Sequence, residues 1–258
     1  MAVGACAKGS TPIAAPQAPV ARAPEPPPAP VFKEPLVNDV TGRQNNWPVK
    51  SLTSYTSKEA EDFVALPAKP HLVDFLRDRF LLAQHLFYSA RWAIEQNLPE
   101  PIVLATLCHD MGQSIARPDH AYWSAALVRP YVSEEVAWAI QYHQHCRFFA
   151  DESVNYKGPP EFYKKYFPGM KIDAYIADGY RMARKHKWYM SARLITMADQ
   201  ETPEPKELYV DSPHEKLDPE IFTDIIGRHF KMPKQGLGYD DTPASHMWRT
   251  LINPTRML

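Results

Sequence analysis

Residues 101–112 read PIVLATLCHDMG. An apolar run of this kind folds in water only as an element covered on nearly every side. It ends in His109 and Asp110, two groups that resist burial. A carboxylate taken out of water without a partner costs several kcal/mol. The fold must therefore give this pair hydrogen bonds, an opposite charge or a metal ion. Alone, the pair also has a plain reading, in which Asp110 caps the next segment and His109 is a hydrogen-bonded core histidine. The rest of the chain decides between the two.

The flanking sequence is helical. Residues 71–98 place Leu72, Phe75, Leu76, Leu82, Ala83, Leu86, Ala90 and Ala93 at steps of three and four, with Arg77, Asp78, Arg79 and Glu95 between them. This spacing predicts one long amphipathic helix. Pro99 and Pro101 end it and open the apolar helix, which should be central. Further helices are expected at about 119–130, at about 134–146 behind the N-cap Ser133, and at about 172–199. Asp218-Pro219-Glu220 is a helix start. Strand-like alternation is scarce, so the fold class is all-α.

Nine prolines fall within residues 11–35. Proline removes backbone donors and fixes φ, so this stretch is expected to be an extended arm suited to a protein partner. Residues 1–69 are read as arm and irregular linker, and residues 70–258 as one helical domain with a C-terminal helical extension. The 29 basic and 30 acidic side chains leave a net charge of −1, which gives no general attraction to nucleic acid. No apolar run reaches the ~18 residues of a membrane span. Cys6, Cys108 and Cys146 lack CxxC spacing and read as thiols in a reducing, intracellular compartment, the cytoplasm before an organelle. No secretory signal is visible, although VGAC at 3–6 faintly resembles the end of a lipoprotein signal.

Partners for His109 and Asp110 are present. His85 lies 24 residues upstream, a separation that brings two antiparallel helices level. Downstream come His120, His143, His145 and Asp199, the last in RLITMADQ at the end of another apolar helical run. Imidazoles and carboxylates are ligands for iron, manganese, zinc and nickel. Of His143 and His145, one is expected to be the ligand.

The order His85, His109-Asp110, His120, His143, Asp199 resembles the dinuclear branch of the HD-domain superfamily of helical metal proteins, over roughly residues 70–205. The resemblance implies an HD-type bundle with two metal ions, iron first. One would sit on His85, His109, Asp110 and Asp199, the other on His120 and His143, with Asp110 bridging and central to catalysis. Two stretches, residues 84–113 and HQHCRFF at 143–149, resemble the organophosphonate-degrading HD oxygenases, relatives of myo-inositol oxygenase. That likeness implies substrate contacts at Arg147, Gln113 and Asp78. Phe75 and Asp78 stand where that group has tyrosine and glutamate, and Gln113 where it has histidine or lysine. The interval from Asp110 to His120 is also shorter.

Three functions follow as expectations. The first is a diiron oxygenase acting with O2 on a small polar or anionic molecule. The second is a metal-dependent phosphohydrolase acting on a nucleotide or other phosphate ester, with Arg147, Lys164, Lys165, Arg181, Arg184 and Lys185 as phosphate contacts. The third is an interaction subunit on the same scaffold.

Overall fold

The computed structural model describes residues 63–80, 82–159, 169, 171–203 and 214–253. The proline-rich arm, most of the linker, Cys6, Lys164 and Lys165 lie outside them. Nine α-helices and no strand occur among the described residues, in agreement with an all-α chain. They are α1 (Leu72–Asp78), α2 (Ala83–Glu95), α3 (Glu100–Cys108), α4 (His120–Val128), α5 (Glu134–Arg147), α6 (Ala174–Ala183), α7 (Tyr189–Gln200), α8 (Thr223–His229) and α9 (Ser245–Ile252). No helix of the described residues is long and apolar enough to cross a membrane.

The apolar run is α3, and every residue from Ile102 to Cys108 is buried. It packs against α2, α5, α7 and α8. Each fully buried leucine here, such as Leu104 or Leu107, contributes about 1.5–3 kcal/mol. Thr106 is the one polar side chain of that stretch, and its Oγ1 donates to Ile102 O at 2.9 Å within the same helix. The helix α5 begins as expected, with Ser133 Oγ accepting from Val136 N at 3.3 Å. Asp218 likewise accepts from Glu220 N at 2.9 Å and opens the turn leading into α8. The C-terminal helix α9 is tied to the rest by Trp248, fully buried, whose Nε1 donates to Leu127 O at 2.9 Å.

Two expected helices are each divided. The helix expected across 71–98 is α1 and α2. Arg79 leaves helical geometry at φ −127°. Its guanidinium turns inward and donates to Ile252 O and Asp78 O, both at 2.9 Å. Phe75, Leu76, Phe80 and Leu82 stay buried on both sides of the break, so the apolar period runs through it undisturbed. The helix expected across 172–199 is α6 and α7. The turn between them, residues 184–188, carries His186 stacked on Trp138 with ring centroids 4.1 Å apart. Neither break contains the glycine or proline that would announce it.

Candidate metal centre

Six predicted side chains meet where α2, α3, α4, α5 and α7 converge. His85 lies on α2 and His109 is the C-cap of α3. Asp110 is the N-cap of a 3-10 turn over Met111–Ser114. His120 is the first residue of α4, His143 lies on α5, and Asp199 is in the last turn of α7. All six are buried, from 0% exposed for His109 and His143 to 7% for His85, His120 and Asp199.

The distances are those of donors around a common centre. From Asp110 Oδ1, the Nε2 atoms of His120, His109 and His143 lie at 3.1, 3.5 and 3.7 Å. His85 Nε2 lies 3.6 Å from Asp110 Oδ2 and 3.2 Å from Asp199 Oδ1. His109 Nε2 is 3.7 Å from Asp199 Oδ1. Two donors each about 2.1 Å from one ion, at 90° to 109°, stand roughly 3.0–3.4 Å apart. Two groups could hold an ion: His85, His109 and Asp199, and His109, Asp110 and His143. His109 belongs to both, and His120 joins the second through Asp110.

The backbone fixes which nitrogen each imidazole offers. The Nδ1 atoms of His109, His143 and His120 lie 2.6, 2.6 and 3.0 Å from the carbonyls of Thr106, Ile140 and Arg117. Each partner is the residue three earlier in the chain. A carbonyl only accepts, so each Nδ1 carries a proton, and in the neutral ring it is Nε2 that presents the lone pair. Burial pushes the His85 and His143 imidazoles down to about 3, and His109 is lowered for the same reason. All three are neutral at pH 7. Burial alone would raise the Asp110 carboxyl, but the positive charge that the adjoining His109 and His120 carry whenever they are protonated outweighs it and holds the carboxyl well below the usual range. The Nε2 atoms of His109, His120 and His143 and Oδ1 of Asp110 have no hydrogen-bond partner. Three imidazole Nε2 atoms and a carboxylate oxygen thus face one another in a buried place. Such a group of imidazole and carboxylate donors could hold a metal ion.

His145 stands apart. Two residues on from His143, it projects about 200° around the helix. Its ring packs beside Tyr142 and Tyr175 and against Gly179, where a Cβ would come within 2.1 Å of it. Arg147, a full turn on from His143, lies on the inner face and pairs with Asp199 Oδ2. Gln113 donates its amide to Asp110 Oδ2. Asp78 sits half-buried at the end of α1, and no interaction joins its carboxylate to the cluster among the described residues. Phe75 is a core residue, fully buried and edge-on to Trp248 at 5.0 Å. Arg181, Arg184 and Lys185 are exposed on α6 and the turn after it.

Sequence reading passed over two supports of the site. One is the set of carbonyls that lock the imidazoles, which no side-chain pattern reveals. The other is Gly112, where a Cβ would lie 2.3 Å from His120 O and 2.5 Å from Ser124 N. Its N–H donates to Ser124 Oγ at 2.7 Å, which clamps the 3-10 turn onto the start of α4. A glycine directly after His-Asp-Met was the available signal. No model of a known protein family matches the chain, and a search of curated proteins finds no match either.

Proposed function

We propose that the chain is a metal-dependent enzyme of HD-domain type. In this reading His85, His109, Asp110, His120, His143 and Asp199 hold a pair of ions and Asp110 stands between them. The observation that carries it is the convergence of imidazole Nε2 atoms and carboxylate oxygens in a buried centre, with the opposite ring nitrogens locked on backbone carbonyls.

The favoured chemistry is oxidation of a small polar molecule with O2. Iron bound by this donor set would supply the activation of dioxygen. The chain's own part is to fix the donors, keep water out through the apolar wall of α3, and hold the substrate beside them. Charge supports this over phosphate-ester hydrolysis. Among the described residues the cation at the centre is Arg147, already paired with Asp199, and the residue beside Asp110 is the uncharged Gln113. Beyond the ions themselves, a phosphate would meet no side-chain cation at the centre among the described residues other than Arg147, which is already paired.

Elemental analysis of protein purified without chelators tests the reading, followed by EPR after partial oxidation. A pair of irons per chain with a mixed-valent signal is the expected result. Manganese, zinc or nickel without that signal would redirect the assignment to the phosphohydrolase. No metal, even after reconstitution, would leave the interaction scaffold.

A further inference from the structure

Each carboxylate of the centre has one oxygen held by a side-chain donor and the other turned to two or more imidazoles. Gln113 donates to Asp110 Oδ2, which also lies 3.6 Å from His85 Nε2, while Oδ1 faces His109, His120 and His143. Arg147 pairs with Asp199 Oδ2, while Oδ1 faces His85 and His109. The two donors come from unrelated elements, the 3-10 turn and α5, yet they produce the same arrangement. The terminal torsion of an aspartate is broad and two-fold. A donor fixed on one oxygen therefore decides which oxygen the other groups meet.

Neither residue needs a substrate to account for its position. We infer that Gln113 and Arg147 are positioning residues that orient the two carboxylates toward the bound ions, rather than the substrate contacts that the family resemblance implies. This rests on the metal reading above. The two holds differ in charge. Gln113 leaves the negative charge of Asp110 uncompensated for the ions to use. Arg147 offsets the charge of Asp199 and so makes the His85–Asp199 side the less anionic of the two.

The test is cobalt(II) added to the metal-stripped full chain, followed by calorimetry and by visible absorption. Gln113→Leu keeps the size and removes the donor without changing charge. It should weaken cobalt binding by ~10–100-fold, the usual effect of losing a group that orients a ligand. Gln113→Asn shortens the reach and serves if the leucine variant does not fold, with circular dichroism as the check. Arg147→Met removes a repelling charge along with the bond, so its signature is a shift of the cobalt absorption bands. Arg147→Lys keeps the charge and one donor and should restore the wild-type bands. Wild-type affinity in both Gln113 variants together with wild-type bands in Arg147→Met would overturn the inference while leaving the metal centre intact. A wild-type chain that takes up no cobalt would instead remove the metal reading, and the inference with it.

Discussion

The helix pair α5 and α7 carries two buried polar clusters, and they are built on opposite principles. One is the histidine–aspartate centre. The other surrounds Arg193, six residues before Asp199 on α7 and fully buried. Its guanidinium donates to Cys146 O at 2.8 Å and Phe149 O at 3.0 Å. It also donates to Tyr189 Oη at 2.9 and 3.1 Å. Tyr189 in turn donates to Asp151 Oδ2 at 2.5 Å, and Asp151 Oδ1 accepts from Ser153 N and Oγ at 3.1 and 2.6 Å. Every donor there meets an acceptor, and the network closes the loop after α5. At the other cluster the acceptors meet each other. Burial of polar groups is common to both, so burial does not mark a binding site. The direction of the donors does.

Breaking each cluster should therefore fail in a different currency. His109→Ala or Asp110→Ala should abolish metal binding, the largest effect expected, with little loss in the thermal stability of the metal-stripped chain. Unchanged metal content in Asp110→Ala would sink the assignment of the site. Arg193→Met should do the reverse. It leaves Tyr189 Oη and two carbonyls short of donors and should cost about 3–5 kcal/mol, a fall in Tm on the order of 10 °C. The fraction of protein that stays folded should keep its metal. Calorimetric melts and metal analysis on the same samples would show whether the two properties separate.

Acid distinguishes the clusters without mutation. His85 and His143 sit near 3 in the folded chain against 6.5 for an ordinary histidine. Below pH 6.5 the unfolded state takes up protons that the folded state refuses. Stability of the metal-stripped chain should fall as pH drops from about 6.5 towards 3, by a few kcal/mol. The Asp151 carboxyl is also lowered; burial would raise it, but the bonds from Ser153 and Tyr189 outweigh that. Its contribution is present above the ordinary carboxylate value of 3.8 and is lost only below it. Denaturant melts from pH 7 to pH 4 should thus report the histidines. A flat profile over that range would mean the imidazoles are not held neutral, and His143→Gln should flatten it partly.

The legible part of this molecule was its side-chain chemistry. His85, His109, Asp110, His120, His143 and Asp199 are the set that the family resemblance implies, and the structure brings them together. The resemblance favours His143 over His145, but spacing alone does not separate them, because both lie on α5 and only the neighbours of that helix show which face is inward. The Arg193 cluster was not seen at all. An arginine in an apolar helical run reads as a solvated edge, and its partners are carbonyls and a tyrosine scattered over residues 146–189. The two helix breaks were hidden for a related reason. Arg79 and the turn at 184–188 end helices through tertiary contacts, and the apolar period carries on past them.

Gly112→Ala is the finest probe of the comparison, because it touches the histidine centre through packing alone. A Cβ there would meet the backbone of α4 at His120 O and Ser124 N, and backbone cannot swing aside as a side chain can. The 3-10 turn and the start of α4 must separate by a fraction of an ångström or more. The expected cost is about 1–3 kcal/mol in stability. No ligand is removed and no charge changes, yet Asp110 and His120 lie on the two segments being pushed apart. Metal affinity should fall while the Arg193 cluster stays as it is. Loss of stability with unchanged metal affinity would show that the centre tolerates such movement. The 3.1 Å approach of His120 to Asp110 would then be incidental to binding.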